Sequence, residues 1–316
     1  MKDYSSNYEV LSAWYDKESE TGRNSNESIY FENTDVVYSW GSHFPLAVRL
    51  PNGFILCNGD YYSNSTAHHQ SELFGIISNE ERAEIPFSAL GNLEGLDRGG
   101  RWSTDYDIEE IQKLEIKDHK KDGWIEKEVD GETKYEHQLG AVLIGHRGKD
   151  YLSAIDETGS GNGTYFLTEL LDKVSTIDEA YQSLKPRMVK EVELGNLPEH
   201  YTGKVKRQGE WFFLEMTEDY ERKKRNQLHH NGGTFDKKYI LEPKDEETRT
   251  GHHKATTGFK LKSGKQFVRG TVRHIENDHS LLKLYEGTEV RAGDRRFYRA
   301  IENRQGMSWG AVGDVD

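Results

Sequence analysis

Residues 45–59, "PLAVRLPNGFILCNG", hold two short apolar runs separated by Pro51, Asn52 and Gly53. Asn and Gly accept the backbone conformations that reverse a chain within two residues, so a run, a Pro-Asn-Gly turn and a second run predict an antiparallel hairpin. A third run, "VVYSW" at 36–40, precedes the hairpin and reads as a neighbouring strand. The same grammar recurs further on. "GAVLIGHRGKDYLSAIDETG" (140–159) reads as two strands around a glycine-containing turn, and "GTYFLTELL" (163–171) as a third. "GKVKRQGEWFFLEM" (203–216) is another strand, and the segments 258–274, 281–287 and 294–303 predict three or four more antiparallel ones.

The clearest helix follows residue 175. Thr176 with Glu179 forms a capping box, Ile177, Ala180, Tyr181 and Leu184 make one apolar stripe, and Pro186 ends it. Strands outnumbering short helices predict an α+β fold, mainly antiparallel β-sheets with a few short helices, in two subdomains. The expected divisions are a flexible N-terminal arm (1–34), a β-rich subdomain with a charged connector (35–135) and an α+β subdomain (136–316). The last carries a charged, irregular insertion near 217–250.

The chain has 316 residues, 34% hydrophobic and 31% charged, with a net charge of −13. That balance disfavours non-specific attraction to polyphosphate or to an anionic membrane, although local basic patches are compatible with it. Cys57 is the single cysteine, which excludes an internal disulfide and a cysteine zinc site. The first twenty residues lack the apolar core of a signal peptide, and no run of 18 apolar residues occurs. A cytoplasmic location, with no membrane partner, is the expectation. No P-loop, G-x-G-x-x-G, H-E-x-x-H or internal repeat is found.

Chemistry-bearing residues concentrate in "FVRGTVRHIENDHSLLKL" (267–284). On a strand, Arg269, Thr271 and Arg273 share one face and Val268, Gly270, Val272 and His274 the other. Paired guanidinium groups suit phosphate or carboxylate, whereas the plain alternative is an exposed face on which arginines cover apolar surface. His274, Asp278 and His279, with His252 and His253 upstream, could bind a divalent metal such as zinc, manganese or iron, or act as acids and bases. Their spacing matches no specific metal motif, and histidines at loop ends are commonly solvated. Arg207, Gln208 and Glu210 precede the apolar "WFFL"; Glu210 is a candidate base or ligand if it faces the histidines. A third cluster, "NGDYYSNSTAHHQSEL" (58–73), reads structurally as a turn and a helix start capped by Ser65 or Thr66. Functionally, Thr66 and His69 would hydrogen-bond a ligand and Gln70 would read an amide or base edge.

The segments "YSWGSHFPLAVRL", "NGDYYSNSTAHHQSEL", "YFLTELLDKVSTIDEAYQSLKP", "VKRQGEWFFLEM", "HHKAT", "FVRGTVRHIENDHSLLKL" and "FYRAIEN" together resemble a group of uncharacterised proteins of tailed bacteriophages, actinobacteria and archaeal viruses. The resemblance covers roughly residues 36–75 and 140–305. It implies a viral or mobile-element origin, acting inside the host cell, and transfers no activity to any residue. Three functions follow as expectations. One is a metal- or histidine-dependent hydrolase or nuclease acting on a phosphate-containing substrate. The second is a non-catalytic protein that binds a host factor or nucleic acid, and the third is a virion component.

Overall fold

A computed structural model describes residues 1–91, 93, 96, 106–129, 132–155, 165–242, 253–275, 280–285, 296–303 and 307–308. The fold is α+β, made mainly of antiparallel sheets with short helices. Two compact units divide it. The first comprises residues 1–155, 164–180 and 306–316, and the second residues 156–163 and 181–305. The expected boundary near 135 is therefore displaced, because the strands that follow it pair into the first unit.

In the first unit, β1 (Lys2–Tyr4), α1 (Asn7–Tyr15), β2 (Gly22–Asn24), β3 (Ile29–Phe31), β4 (Val36–Ser39), β5 (Pro45–Arg49), β6 (Ile55–Asn58), α2 (Asn64–Ile76) and β7 (Arg82–Ile85) build one sheet and its helices. The strands lie in chain order; β1 with β2 and β6 with β7 are parallel, and the pairs between them antiparallel. The predicted hairpin is β5–β6. Gly53 takes φ +90°, and its N–H donates to Leu50 O at 2.9 Å.

Alternation sends successive residues of these strands to opposite faces. Val37, Ile55 and Cys57 pack against Val10, Leu11 and Trp14 of α1 and Leu73 of α2. Val36, Val48 and Leu56 face the other way and pack with Val142, Ile144, Tyr151 and Leu167 of a second sheet. With both faces covered, the strands read as nearly continuous apolar runs. Burial pushes the Cys57 thiol up to about 12, so it stays a neutral packing group.

The second sheet follows α3 (Phe87–Leu90) and α4 (Ile108–Ile111). It orders β8 (Glu115–Lys120), β11 (Ala141–His146), β12 (Lys149–Ile155) and β13 (Tyr165–Leu170), with Met307–Ser308 on the far edge. Between β8 and β11, β9 (Gly123–Val129) and β10 (Glu132–Gln138) pair as a separate two-stranded ribbon. α5 (Ile177–Leu184) begins at the predicted capping box: Thr176 Oγ1 accepts from the Glu179 N–H, and Glu179 Oε2 from the Thr176 N–H.

In the second unit, α6 (Arg187–Glu193), β14 (Tyr201–Gln208), β15 (Trp211–Met216), α7 (Glu218–His230), β16 (Asp236–Ile240), β17 (His253–Lys260), β18 (Gln266–His274), β19 (Leu282–Lys283) and β20 (Tyr298–Glu302) follow. The sheet order is β14-β15-β20-β18-β17-β16, with β19 beside β18. One face carries Phe212, Leu214, Phe259, Phe267 and Phe297, packed with residues of α6 and α7. The opposite face carries Trp211, Phe213, Ala255, Val268, Val272, Tyr298 and Ala300.

Two expectations are corrected. Residues 1–34 are not an arm outside the core: Val10, Leu11, Trp14, Ile29 and Phe31 are fully buried, and Arg49 Nη2 donates to the carbonyls of Trp14 and Tyr15, tying the end of α1 to the hairpin. Segment 217–250 is not irregular throughout, since 218–230 form α7 and 236–240 form β16. Thr217 Oγ1 caps α7, while Tyr220 and Leu228 give it a narrow buried stripe on an otherwise charged helix.

Trp14→Ala should lower stability by about 3–5 kcal/mol in urea unfolding, the loss expected for a large buried aromatic. A change under about 0.5 kcal/mol, the usual surface value, would restore the loose-arm picture.

Candidate functional site

Three of the sequence-derived residues meet at one end of the second unit's sheet. β14 and β15 are joined by Gly209 and Glu210, with Gly209 at φ +54° supplying the left-handed step of the turn. The Asn303 N–H donates to the Glu210 carbonyl at 2.8 Å and fixes that turn. His253, the first residue of β17, is the direct cross-strand partner of His274, the last of β18, so both imidazoles project from the same face. The rings stand edge to face with centroids 4.9 Å apart. Glu210 Oε1 lies 3.5 Å from His253 Nδ1. Exposure is 4% for Glu210, 0% for His253 and 3% for His274. Gln208 is buried beside them, its Nε2 donating to the carbonyls of Ser280 and Val272.

The arginines do not join this centre. Residues 268–274 alternate in burial as expected, which turns Arg269 and Arg273 to the face opposite His274. Arg269 lies over the Phe297 ring at 4.8 Å, and Arg273 is paired across the strand with Lys254. Arg207 lies over Phe212 and donates from Nε to Gly209 O. Arg269 and Arg273 thus take the face that strand alternation gave them in the sequence, opposite His274, and Arg207 is held against Phe212. His252, Asp278 and His279 lie outside the described residues, which leaves His274 alone of the proposed metal set. Among the described residues no three His, Cys, Asp or Glu side chains are placed to hold one ion.

Thr66, His69 and Gln70 sit on α2 in the first unit, all buried. Ser63, rather than Ser65 or Thr66, is the cap: its hydroxyl accepts from the Thr66 N–H while Thr66 Oγ1 accepts from the Ser63 N–H. Gln70 Nε2 donates to the carbonyls of Asn58 (2.7 Å) and Asp60 (2.9 Å), and His69 Nδ1 shares a 2.8 Å hydrogen bond with Ser39. Gln70 thus holds the end of β6 against α2, while Thr66 closes the first turn of its own helix.

A buried ionisable cluster went unread in the sequence. At the β11–β12 turn, where Arg147 and Gly148 both take positive φ, a pocket of about 180 Å³ is lined by Lys113, Lys117, His146, Arg147, Asp150 and Lys173, among others. Beside it Glu110 accepts from Lys113 Nζ and, through Oε1, from Arg147 Nε (2.9 Å) and Nη2 (2.6 Å). Asp150 accepts from Lys117 Nζ (2.8 Å), the Val174 N–H (3.1 Å) and Lys173 Nζ (3.3 Å). The hydrogen bonds from Lys113 and Arg147 lower the Glu110 value. Burial opposes ionisation of Asp150, but its donors outweigh it and the carboxyl lies below its ordinary value. Nothing in the "GHRGKD" spacing distinguishes such a cluster from a charged turn.

A depressed carboxyl stabilises the fold at pH above its ordinary value, near 4, and that contribution is lost as pH falls through the lower folded-state value. Asp150→Asn should therefore lower the thermal midpoint at pH 7 yet lose less than the native chain between about pH 5 and pH 2; parallel acid profiles would contradict the ionised assignment. No protein-family model, curated protein or solved structure matches the chain.

Proposed function

We propose that the chain is a histidine-dependent hydrolase, carried in a viral or mobile-element genome, with Glu210, His253 and His274 as its acid–base centre. The convergence of two imidazoles and a carboxylate from three separate strand ends supports this reading. Burying three ionisable side chains together is unfavourable unless they stabilise one another, and such clusters concentrate at functional sites. A carboxylate facing Nδ1 favours the imidazole tautomer protonated there, leaving His253 Nε2 to accept a proton from an attacking water. His274, in ring contact with His253, is the candidate donor to the leaving group. Gln208 Oε1 is buried and accepts no hydrogen bond among the described residues, a state that costs about 1–3 kcal/mol. It is the acceptor that a substrate N–H or O–H would meet.

Turning the arginines to the other face removes the group expected to hold a phosphate here, so the substrate panel should include carboxylic esters as well as phosphodiesters. His253→Ala and Glu210→Gln should each lower turnover of the responsive chromogenic substrate by about 10²–10⁴, with an unchanged circular dichroism spectrum. Full turnover in both folded variants, or none by the native chain on either class, would refute the hydrolase reading.

A second reading, a non-catalytic binding protein, is favoured by one observation. On the β9–β10 ribbon Trp124 is 72% and Tyr135 65% exposed, residue types that anchor interfaces when buried by a partner. Under this reading Trp124→Ala and Tyr135→Ala would change stability by no more than about 0.5 kcal/mol while abolishing association with the partner; loss of folding would assign them to structure.

A further inference from the structure

The β9–β10 ribbon contributes to none of the apolar cores. Its strands pair with each other and with no other strand among the described residues. No residue of 123–138 belongs to the four apolar clusters, and six of the seven residues of β10 are exposed. A two-stranded hairpin without a buried face is marginally stable in water, and an unpaired strand edge is a template for another strand. The outer edge of β10 is therefore where a further strand would extend the sheet.

Charge patterning decides which strand fits. On one face of the ribbon Lys127 and Lys134 stand directly opposite each other, an unfavourable pairing of like charges. Lys127 is paired diagonally with Glu136, whereas Lys134 has no carboxylate partner among the described residues. On the other face Tyr135 is 65% exposed, and its hydroxyl donates to Glu126 Oε1 at 2.9 Å.

Tyr135 is the middle residue of β10 (Glu132–Gln138). Laid antiparallel against a second copy about a two-fold axis through Tyr135, the strand pairs along its whole length. Tyr135 then opposes itself, Lys134 opposes the partner's Glu136, and Glu136 opposes the partner's Lys134. Because the axis is normal to the sheet, each side chain keeps its face, and the only alternatives are axes through other residues of the strand. An axis through Lys134 opposes that lysine to itself and Glu132 to Glu136, and one through Glu136 opposes that glutamate to itself. An axis through Thr133 sets Glu132 against Lys134 but engages only residues 132–134 of β10. On the free edge of β9 the full-length register opposes Glu126 to itself. Residues 123–138 hold two lysines against five Asp and Glu, a net −3, so two ribbons repel unless lysine meets glutamate.

We propose that β10 pairs antiparallel with β10 of a second copy of this chain, in register at Tyr135, to form a four-stranded sheet across a two-fold dimer interface. The two Tyr135 rings lie side by side on one face, and on the other two Lys134–Glu136 pairs flank the axis. The same patch serves both copies, so the contact closes on itself as a dimer. One short strand from each copy makes a small interface, and the dimer should form and dissociate with concentration. A second copy is thus the partner of the exposed ribbon, whether or not Glu210, His253 and His274 catalyse hydrolysis.

The test is sedimentation equilibrium of the full chain at several concentrations, in which the native chain should dimerise reversibly. Lys134→Glu and Glu136→Lys should each weaken dimerisation about tenfold or more, because each turns both attractive pairs into repulsive ones, and the two combined should restore it. A purely structural role predicts otherwise, since Lys134→Glu sets an acid opposite Lys127 and should strengthen the ribbon itself. Mild oxidation reads the register. Tyr135→Cys should give a disulfide-linked dimer, because direct cross-strand partners stand about 4.5–5.5 Å apart, within disulfide reach. Lys134→Cys should not, since it lies diagonal to its own copy and beyond the limit of about 7 Å. Cys57 is buried and stays out of the reaction. Dimerisation unchanged by the single charge reversals, failure of the combined variant to restore it, or cross-linking through Lys134→Cys in preference to Tyr135→Cys would overturn the proposal. A chain that stays monomeric at every concentration would overturn it too, and would leave the binding reading of Trp124 and Tyr135 to a different partner.

Discussion

The two-residue period of the β-strand governs what each face of the second unit can do. Cross-strand partners share a face and successive residues do not. Once Phe267 and Phe297 are committed to the core under α6 and α7, His274 must turn the other way, and the His253–His274 register puts the second imidazole beside it. The same parity forces Arg269 and Arg273 away from the histidines. A one-residue slip between β17 and β18 would exchange the two sets and bury guanidinium groups against Ala255 and Trp211. The irregularity in that pairing, between Ala255 and Thr257, lies between the histidine pair and the phenylalanine pair and lets both hold their places.

The first unit obeys the same rule toward a different end. Its central strands are apolar on both faces because α1 and α2 cover one and the β8–β11–β12–β13 sheet covers the other. Polar side chains there serve mainly to satisfy backbone. Arg49 closes the end of α1, Gln70 closes β6, and Asp60 accepts from the Ser88 N–H at 2.7 Å. The charged exception is the β11–β12 turn, where Glu110 and Asp150 are ringed by Lys113, Lys117, Arg147 and Lys173.

Local signals were legible in the sequence and long-range ones were not. The Pro51-Asn52-Gly53 turn, the Thr176–Glu179 box and the β18 alternation each depend on residues within a few positions of one another, and each stands as read. Residues 1–34 read as an arm because Ser, Asn and Glu dilute the pattern, yet Val10, Leu11 and Trp14 make a short apolar stripe that the sheet buries. α7 escaped notice because only Tyr220, Glu221 and Leu228 of its 13 residues are buried. The grouping of Glu210 with His253 and His274 followed from residue type and strand-end position, but the opposing faces of histidine and arginine decide the chemistry. Glu110 and Asp150 carry no local signal, since each meets its partners through pairing 33 to 37 residues distant as well as through near neighbours.

The most direct measurement is the tautomeric state of the two imidazoles, read from long-range ¹H–¹⁵N correlations of the histidine side chains in the native chain and in Glu210→Gln. If Glu210 orients His253 as an acid–base pair, His253 should carry its proton on Nδ1, shift toward the Nε2–H form in the variant, and show ring-to-ring cross-relaxation with His274. A His253 ring in the solvent-preferred Nε2–H form in both proteins, with no cross-relaxation to His274, would contradict the centre on which the proposed chemistry rests.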